Sequence, residues 1–411
     1  MTQVVGSASD HIKLEIIHVL QILQEGYRER NSAKVDQYME KLFEKEEDVI
    51  ILGTSDEEWF LNYDEAKELL ASDWEWWGDV TFNIDESIIS ATEDIAWLST
   101  TGTVKYQYDN SESTYERWLN NVIMESHFKD DRVHDKDALK NAFLEVNWLL
   151  NHKLHDWGSE KREYPSPIRF SAVLKKVAGR WIFKQIQFSF PQAFYPDVRI
   201  GRKEMGKERF DKIKEKLAKY TQKELPKRKK EIKTLLTAFQ VDYLDSKDMD
   251  LNKLVEKYFI QDENTTMIGT NQVKAVGLEF IPELVDTDRS LWDKILLDID
   301  EAIINEHQDV VWFATTGTIM KNLNEEAALK KQYANIKEII KSEADPKDKL
   351  FNIRKNISVT LKEIAIGEDY SWPIKLEGVL VKENGQWKFH YLQFSFPFYF
   401  ILEGLREEIK I

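Results

Sequence analysis

The chain has 411 residues, 42% hydrophobic and 32% charged, with a formal net charge of −16 and no cysteine. This is the balance of a globular chain long enough for two cores, and it excludes a disulfide framework, a thiol nucleophile and thiolate metal ligation. The acidity argues against nucleic-acid binding by the whole molecule, and without an apolar run of membrane-spanning length no membrane association is expected. Met1–Asp10 has neither a basic region nor an apolar core of the secretory kind, so the expected location is cytoplasmic.

Asp10 reads as the N-cap of a helix whose apolar positions are Ile12, Ile16, Val19, Leu20 and Leu23, a 3–4 spacing. A second helix from about Ser32 buries Val35, Tyr38, Met39 and Leu42. Val49–Leu52 is a short apolar run ending at Gly53, and a third helix starts at Asp64 and ends near Trp77-Gly78. Val80–Ile89 and Ile95–Val104 alternate with period two and predict strands. Phe170–Val177 and Trp181–Phe190 predict a hairpin turning at Ala178-Gly179.

The same order then returns. Trp97-Leu-Ser-Thr-Thr-Gly-Thr103 recurs as Trp312-Phe-Ala-Thr-Thr-Gly-Thr318, and Gln187-Phe-Ser-Phe-Pro191 recurs as Gln393-Phe-Ser-Phe-Pro397. One domain is therefore written twice, over residues 10–197 and 231–411. In the second copy, helices are expected near Glu231–Tyr243 and Leu251–Phe259, strands near Ile295–Ile304 and Val310–Ile319, and a closing hairpin turning at Asn384-Gly385. Helices followed by a mostly antiparallel sheet give an α+β class.

Between its third and fourth main strands each copy carries a charged, helix-forming insertion, 111–164 and 324–369. The segment 198–230 joins the copies. From Arg199 to Lys230 it holds fourteen Lys or Arg against five Asp or Glu. It reads as a docking patch for an acidic partner or as a solvated helix leaning on the acidic domains.

These residues resemble the SnoaL-like branch of the nuclear transport factor 2-like (NTF2-like) superfamily. The resemblance lies in the N-terminal helical pair, Ile51-Leu-Gly-Thr-Ser-Asp56 with Glu58-Trp59, Ile95-Ala-Trp-Leu-Ser99, and Gly179-Arg-Trp-Ile-Phe183 through Ser189-Phe-Pro191. The second copy keeps Gly269-Thr270, Val311-Trp312 and Gly385-Gln-Trp387 through Ser395-Phe-Pro397 but lacks the acidic-aromatic continuation. The resemblance implies two tandem cone-shaped domains, each with N-terminal helices on a strongly bent antiparallel sheet around an apolar cavity. It also implies pairing through the sheets, as an intramolecular pseudo-dimer or a homodimer. Isomerases, cyclases and hydratases share that fold with non-catalytic binding and assembly modules, and fold does not choose among them.

Strict alternation would set Trp181, Gln187 and Ser189 on one face of the closing strand, and Trp387, Gln393 and Ser395 on its counterpart. Polar groups among aromatic ones suit a pocket for a small apolar or aromatic ligand. Trp97, Thr101, Trp312 and Thr316 on the third strands join them as candidate ligand contacts, although Thr-Thr-Gly-Thr also suits a strand approached closely by another backbone. Many SnoaL-like sequences have His where Gln187 and Gln393 stand, and a carboxamide cannot act as an acid or base near neutral pH. Asp85 is the weak candidate for a buried catalytic carboxylate, within the repeated Asp85-Glu86 and Asp300-Glu301 pairs. His152 and His155, with His127 and His134 nearby, lack a convincing third ligand, so neither a metal nor another cofactor is expected. The leading expectation is non-catalytic ligand binding. The alternatives are an enzyme using a buried carboxylate and an interaction scaffold acting through the basic linker and insertions.

Overall fold

The computed structural model describes residues 6–45, 48–109, 161–191, 204–221, 227–245, 249–270, 273–344 and 346–397, with a few residues between 116 and 147. It is α+β and contains two seven-stranded sheets with the same strand order.

Helix α1 (Asp10–Glu29) buries Ile16, Val19, Leu20 and Leu23, as its spacing predicts. Its N-cap is Ser9, one residue before the expected Asp10; the Ser9 hydroxyl accepts from Ile12 N, and Asp10 enters the first turn. A carboxylate there faces the positive end of the helix dipole. A short 3-10 turn, Ser32–Lys34, leads into α2 (Val35–Leu42), which buries Val35, Tyr38, Met39 and Leu42. Helix α3 (Tyr63–Trp76) starts with a reciprocal cap: Asn62 accepts from Glu65 N, and the Glu65 carboxylate accepts from Leu61 N, both at 2.9 Å.

The first sheet comprises β1 (Ile50–Leu52), β2 (Trp59–Phe60), β3 (Asp79–Phe82), β4 (Ile88–Ala91), β5 (Ile95–Asp109), β6 (Lys161–Val177) and β7 (Arg180–Ser189). It is mixed rather than purely antiparallel, because β1 runs parallel to β7. In the second half, α4 (Glu204–Thr221) and α5 (Lys227–Gln240) precede α6 (Leu251–Tyr258), β8 (Thr266–Ile268), β9 (Lys274–Val276) and α7 (Ile281–Leu291). Then come β10 (Lys294–Leu297), β11 (Ile303–His307), β12 (Val310–Asn322), α8 (Glu325–Lys341), α9 (Pro346–Ile366), β13 (Asp369–Glu383) and β14 (Gln386–Ser395). Here β8 runs parallel to β14.

The long strands expected at Val80–Ile89 and Ile295–Ile304 are each broken in two. In the second sheet Leu297 pairs with Gly317 but Ile303 pairs with Ala314, so a loop interrupts the edge opposite Thr315-Thr316. The Thr100 hydroxyl donates to Asn83 O at 2.8 Å and the Thr315 hydroxyl to Asp298 O at 2.7 Å, fastening both breaks alike. A Cβ on Gly102 would meet Thr81 O at 2.5 Å, and one on Gly317 would meet Leu296 O at 2.6 Å. The repeated Thr-Thr-Gly-Thr element is thus the place where a bent edge strand crosses close to its neighbour.

The chain divides into two compact units. One comprises Met1–Val104, Pro167–Lys321 and Ser371–Phe400 and holds the body of both sheets. The other comprises Lys105–Ser166, Asn322–Tyr370 and Ile401–Ile411 and includes the α8–α9 hairpin. In that unit Asn335 donates to Asn356 at 3.2 Å across the hairpin, and Asn147 donates to Ser358 at 3.2 Å. No described helix is long and apolar enough to cross a membrane.

Candidate functional site

Two polar constellations sit inside the sheet-bearing unit, one on each side of the sheets. The helix side of the first sheet is aromatic. Phe82 lies 4.6 Å from Phe170, Phe170 lies 5.2 Å from Phe188, and Trp77 lies 5.6 Å from Phe188, ring centre to ring centre. Tyr27, from the last turn of α1, packs edge-on against Trp74, Trp77 and Phe188. Its hydroxyl donates to Asp73 Oδ2 at 2.7 Å. Asp73 keeps a half-exposed edge yet lies deep enough that desolvation raises its carboxyl to about 8, against the opposing effect of the Tyr27 bond. It therefore holds a proton at neutral pH.

The second repeat reproduces the arrangement. Tyr243 donates to Asp288 Oδ2 at 2.6 Å, beside Phe239 and Phe394, and burial raises the Asp288 carboxyl to about 6. Trp292 follows Asp288 by four residues, as Trp77 follows Asp73, and packs on Trp372 and Phe396. None of these four Tyr and Asp residues stands out in the local sequence pattern. The available signal was the offset, because Tyr27 to Tyr243 and Asp73 to Asp288 repeat the spacing that relates Trp97 to Trp312 within one residue.

The other constellation is a seam between the two sheets. Strict alternation fails in both closing strands. Val173 pairs with Gln185 but Leu174 pairs with Phe183, so Lys184 is an extra, bulged residue; Val379 and Leu380 opposite Tyr391 and Phe389 place His390 in the same role. A bulge of one residue moves everything beyond it to the opposite face. Trp181 and Phe183 consequently stay on the helix side, where Trp181 Nε1 donates to Glu15 Oε2 at 2.8 Å and Phe183 packs 5.8 Å from Phe43. Gln185, Gln187 and Ser189 turn instead toward the other repeat.

In the seam, with the Gln187 amide oriented to satisfy both neighbours, its Oε1 accepts from the Ser395 hydroxyl at 2.6 Å and its Nε2 donates to Glu377 at 3.1 Å. Gln393 Nε2 donates to Ser189 Oγ at 3.4 Å, Tyr391 donates to Gln393 Oε1 at 2.9 Å, and Gln185 donates to Glu377 Oε2 at 2.9 Å. The Ser171 hydroxyl also donates to Glu377. Burial pushes the Glu377 carboxyl up to about 7 despite these donors and the nearby Arg169. Arg169 Nε donates to Ser189 Oγ at 3.1 Å, and its Nη1 donates to Gly269 O. Lys375 occupies the corresponding place in the other repeat. Its ammonium donates to Gly53 O at 2.9 Å, to Ser55 O and to Glu58 O at 3.2 Å, over the Trp59 ring. Burial lowers Lys375 to about 8 and Arg169 to about 10.

The expected ligand contacts thus separate into groups. Gln187, Ser189, Gln393 and Ser395 come together in the seam. Trp97 and Trp312 adjoin it in a buried cluster with Ile95, Val173, Val310 and Val379, and Trp97 Nε1 donates to His390 Nδ1 at 3.2 Å. Thr101 and Thr316 stand at the breaks in the edge strands, accepting from Asn83 Nδ2 at 2.8 Å and donating to Asp298 Oδ2 at 2.7 Å respectively. Trp387 is buried near the hairpin turn with Lys382 over its ring.

Asp85 does not lie on a strand face. It is exposed on a 3-10 turn, Ile84–Glu86, and the paired Asp300-Glu301 lies on a loop, so the buried-base reading of Asp85 is overturned. The edge-strand break is the reason, since it takes these acids out of the sheet. His127, His134, His152 and His155 lie outside the described residues, among which no cluster of three or more His, Asp or Glu could hold a metal. From the linker, α4 buries Phe210, Ile213 and Leu217, while Lys216 donates to Trp59 O at 2.6 Å and pairs with Glu65 at 2.9 Å. Lys214 pairs with Asp298 at 2.5 Å. These lysines lean on acidic groups of the same unit.

Residues 19–127 match the SnoaL-like domain family. Among solved structures, an NTF2-like superfamily protein from Salmonella enterica is similar at 12% identity, covering 42% of this chain and 94% of its own, with a TM-score of 0.28. A cystatin-like-fold protein of unknown function from Nostoc punctiforme is similar at 10% identity, covering 46% and 97%, with a TM-score of 0.27. An NTF2-like protein from Novosphingobium aromaticivorans is similar at 14% identity, covering 41% and 80%, with a TM-score of 0.26. No curated protein matches the chain.

Proposed function

We propose that this chain, whose residues 19–127 carry a SnoaL-like domain, is a non-catalytic binding protein that takes a small apolar or aromatic ligand into the helix-side interior of its repeats. One observation carries the reading: at the same place in both repeats a Tyr hydroxyl meets an Asp carboxyl among aromatic rings. A pocket for an apolar molecule needs an apolar wall and a few placed polar groups. At neutral pH Asp73 retains its proton, so it can offer a hydrogen bond without setting a bare charge against an apolar ligand. Asp73 and Trp77 are half-buried, which leaves this end of the interior within reach of solvent. Gln187, Ser189, Gln393 and Ser395 have a different part in this reading: their bonds to each other support an intramolecular pairing of the repeats.

The test titrates the chain with 1-naphthol and with a steroid and follows the heat of binding by calorimetry. The expected result is a saturable change, with Tyr27→Phe and Asp73→Asn each weakening affinity about tenfold, the equivalent of about 1.4 kcal/mol. A saturable response untouched by either substitution would place the ligand elsewhere. Absence of any saturable response to both probes would retire the reading.

A further inference from the structure

The helix-side interiors of the two repeats share an aromatic wall and differ in what fills it. Tyr27, Trp77, Phe188 and Phe190 in the first stand where Tyr243, Trp292, Phe394 and Phe396 stand in the second. In the second repeat β13 adds one more ring. Trp372 is fully buried and packs edge-on against Trp292 at 5.6 Å, and Trp292 packs on Phe396 at 5.8 Å. The closing hairpins identify its counterpart. Arg169 pairs with Ser189 as Lys375 pairs with Ser395, so Ser166, three residues before Arg169, answers to Trp372. By alternation Ser166 shares the face of β6 that carries Phe170, which is the helix side. The first repeat therefore keeps the wall without the indole that its counterpart holds.

The polar groups divide in the same way. Burial raises the Asp288 carboxyl, and bonds from Tyr243 and from the Trp292 indole oppose the rise. Arg289, beside it, donates to Asp242 O and Tyr243 O at 2.8 Å and to Met249 O at 3.0 Å. The second interior is thus satisfied by its own residues. In the first, Tyr27 is the side-chain donor to Asp73 among the described residues, and Trp77 is half-exposed where Trp292 is buried. Trp74, at the place of Arg289, is buried, and its indole N–H has no partner. A buried donor in that state is unfavourable unless an acceptor reaches it. Protein interiors are close-packed, so a wall that is one ring short, with a donor to spare, suits a flat occupant carrying an acceptor.

We propose that the first repeat alone takes a ligand, a planar bicyclic aromatic molecule bearing an oxygen, at the place that Trp372 fills in the second. This rests on the ligand-binding reading above and adds which repeat accepts and what shape it accepts. The experiment is calorimetric titration of the full chain with 1-naphthol. The expected result is one site per chain. Ser166→Trp gives the first repeat the indole of the second and should abolish the saturable heat with unchanged circular dichroism. Trp372→Ser should add a second site. Tyr27→Phe keeps the ring and its shape, so it decides the matter even where an exchange of Trp and Ser fails to fold; it should weaken the single site about tenfold. Two sites in the wild-type chain overturn the proposal, as does a single site that Tyr27→Phe does not touch. A folded Ser166→Trp chain that still binds 1-naphthol overturns it too, and so does saturable binding of a steroid with none of 1-naphthol. In each of these cases ligand binding by the chain stands. Silence toward both probes retires that reading and this proposal together.

Discussion

The two repeats share strand order, bulge position and edge-strand break, yet they differ where they meet. At equivalent positions the first presents Arg169 and Ser171, and the second presents Lys375 and Glu377. The only buried carboxylate described within the seam's Gln–Ser–Tyr network therefore belongs to one repeat, and the donors around it come largely from the other. The interiors differ in the same way: Asp73 is raised to about 8 and Asp288 only to about 6. The two sheets share one frame while their buried polar groups are asymmetric.

Removing each seam cation in turn should give the largest effect. Arg169 is buried and holds Ser189 and Gly269 near Glu377, so Arg169→Met leaves a carboxyl and several acceptors without their cation. The expected loss is about 3–5 kcal/mol in urea denaturation. Lys375→Met removes an ammonium that burial already inclines toward neutrality, and should cost less, about 1–3 kcal/mol. Equal losses would mean that the seam treats the repeats alike.

The pH dependence of stability sharpens the comparison of the interiors. Folding raises the Asp73 carboxyl from its ordinary value of 3.8 to about 8, so between those values the folded state binds a proton that the unfolded state has released. Stability contributed by this group is full at low pH and is lost as pH rises through about 8. For Asp288 the same loss is complete by about pH 6. Between pH 6 and 8, Asp73→Asn should flatten the decline of the denaturation midpoint, while Asp288→Asn should leave it nearly as in the wild type. Glu377, raised to about 7, contributes a decline of the same sign that neither substitution removes.

The smallest expected effect lies at the hairpin turns. Ala178 adopts φ 48° where the second repeat has Asn384 at φ 49°, each followed by a glycine at positive φ. Asn tolerates the left-handed region better than Ala, so Ala178→Asn should raise stability by about 0.5–1 kcal/mol and Asn384→Ala should lower it by a similar amount. Thermal denaturation of the two variants reads both changes, and identical behaviour would remove this difference between the repeats.

Much of this architecture was legible in the chain because it depends on local rules. The buried faces of α1 and α2 follow from three- and four-residue spacing, and the two closing hairpins follow from their turn residues. Repetition also marked Gly102 and Gly317, each of which the structure places against a neighbouring backbone oxygen. The site was less legible. Alternation put Trp181 with Gln187 and Ser189, but nothing in the spacing shows that Lys184 and His390 are bulged, and one extra residue exchanges the two faces of a strand. The pairing of Gln187 with Ser395, the carbonyl cage around Lys375 and the Tyr27–Asp73 bond join residues far apart in sequence.

By itself, then, the sequence determined an α+β chain with a repeated order of elements, because periodicity, turn chemistry and repetition act within short windows or copy by copy. Only the tertiary structure decided which face of each strand meets helices and which meets the other sheet. That choice rests on desolvation and hydrogen bonding between distant segments, and these come into existence only when the repeats pack.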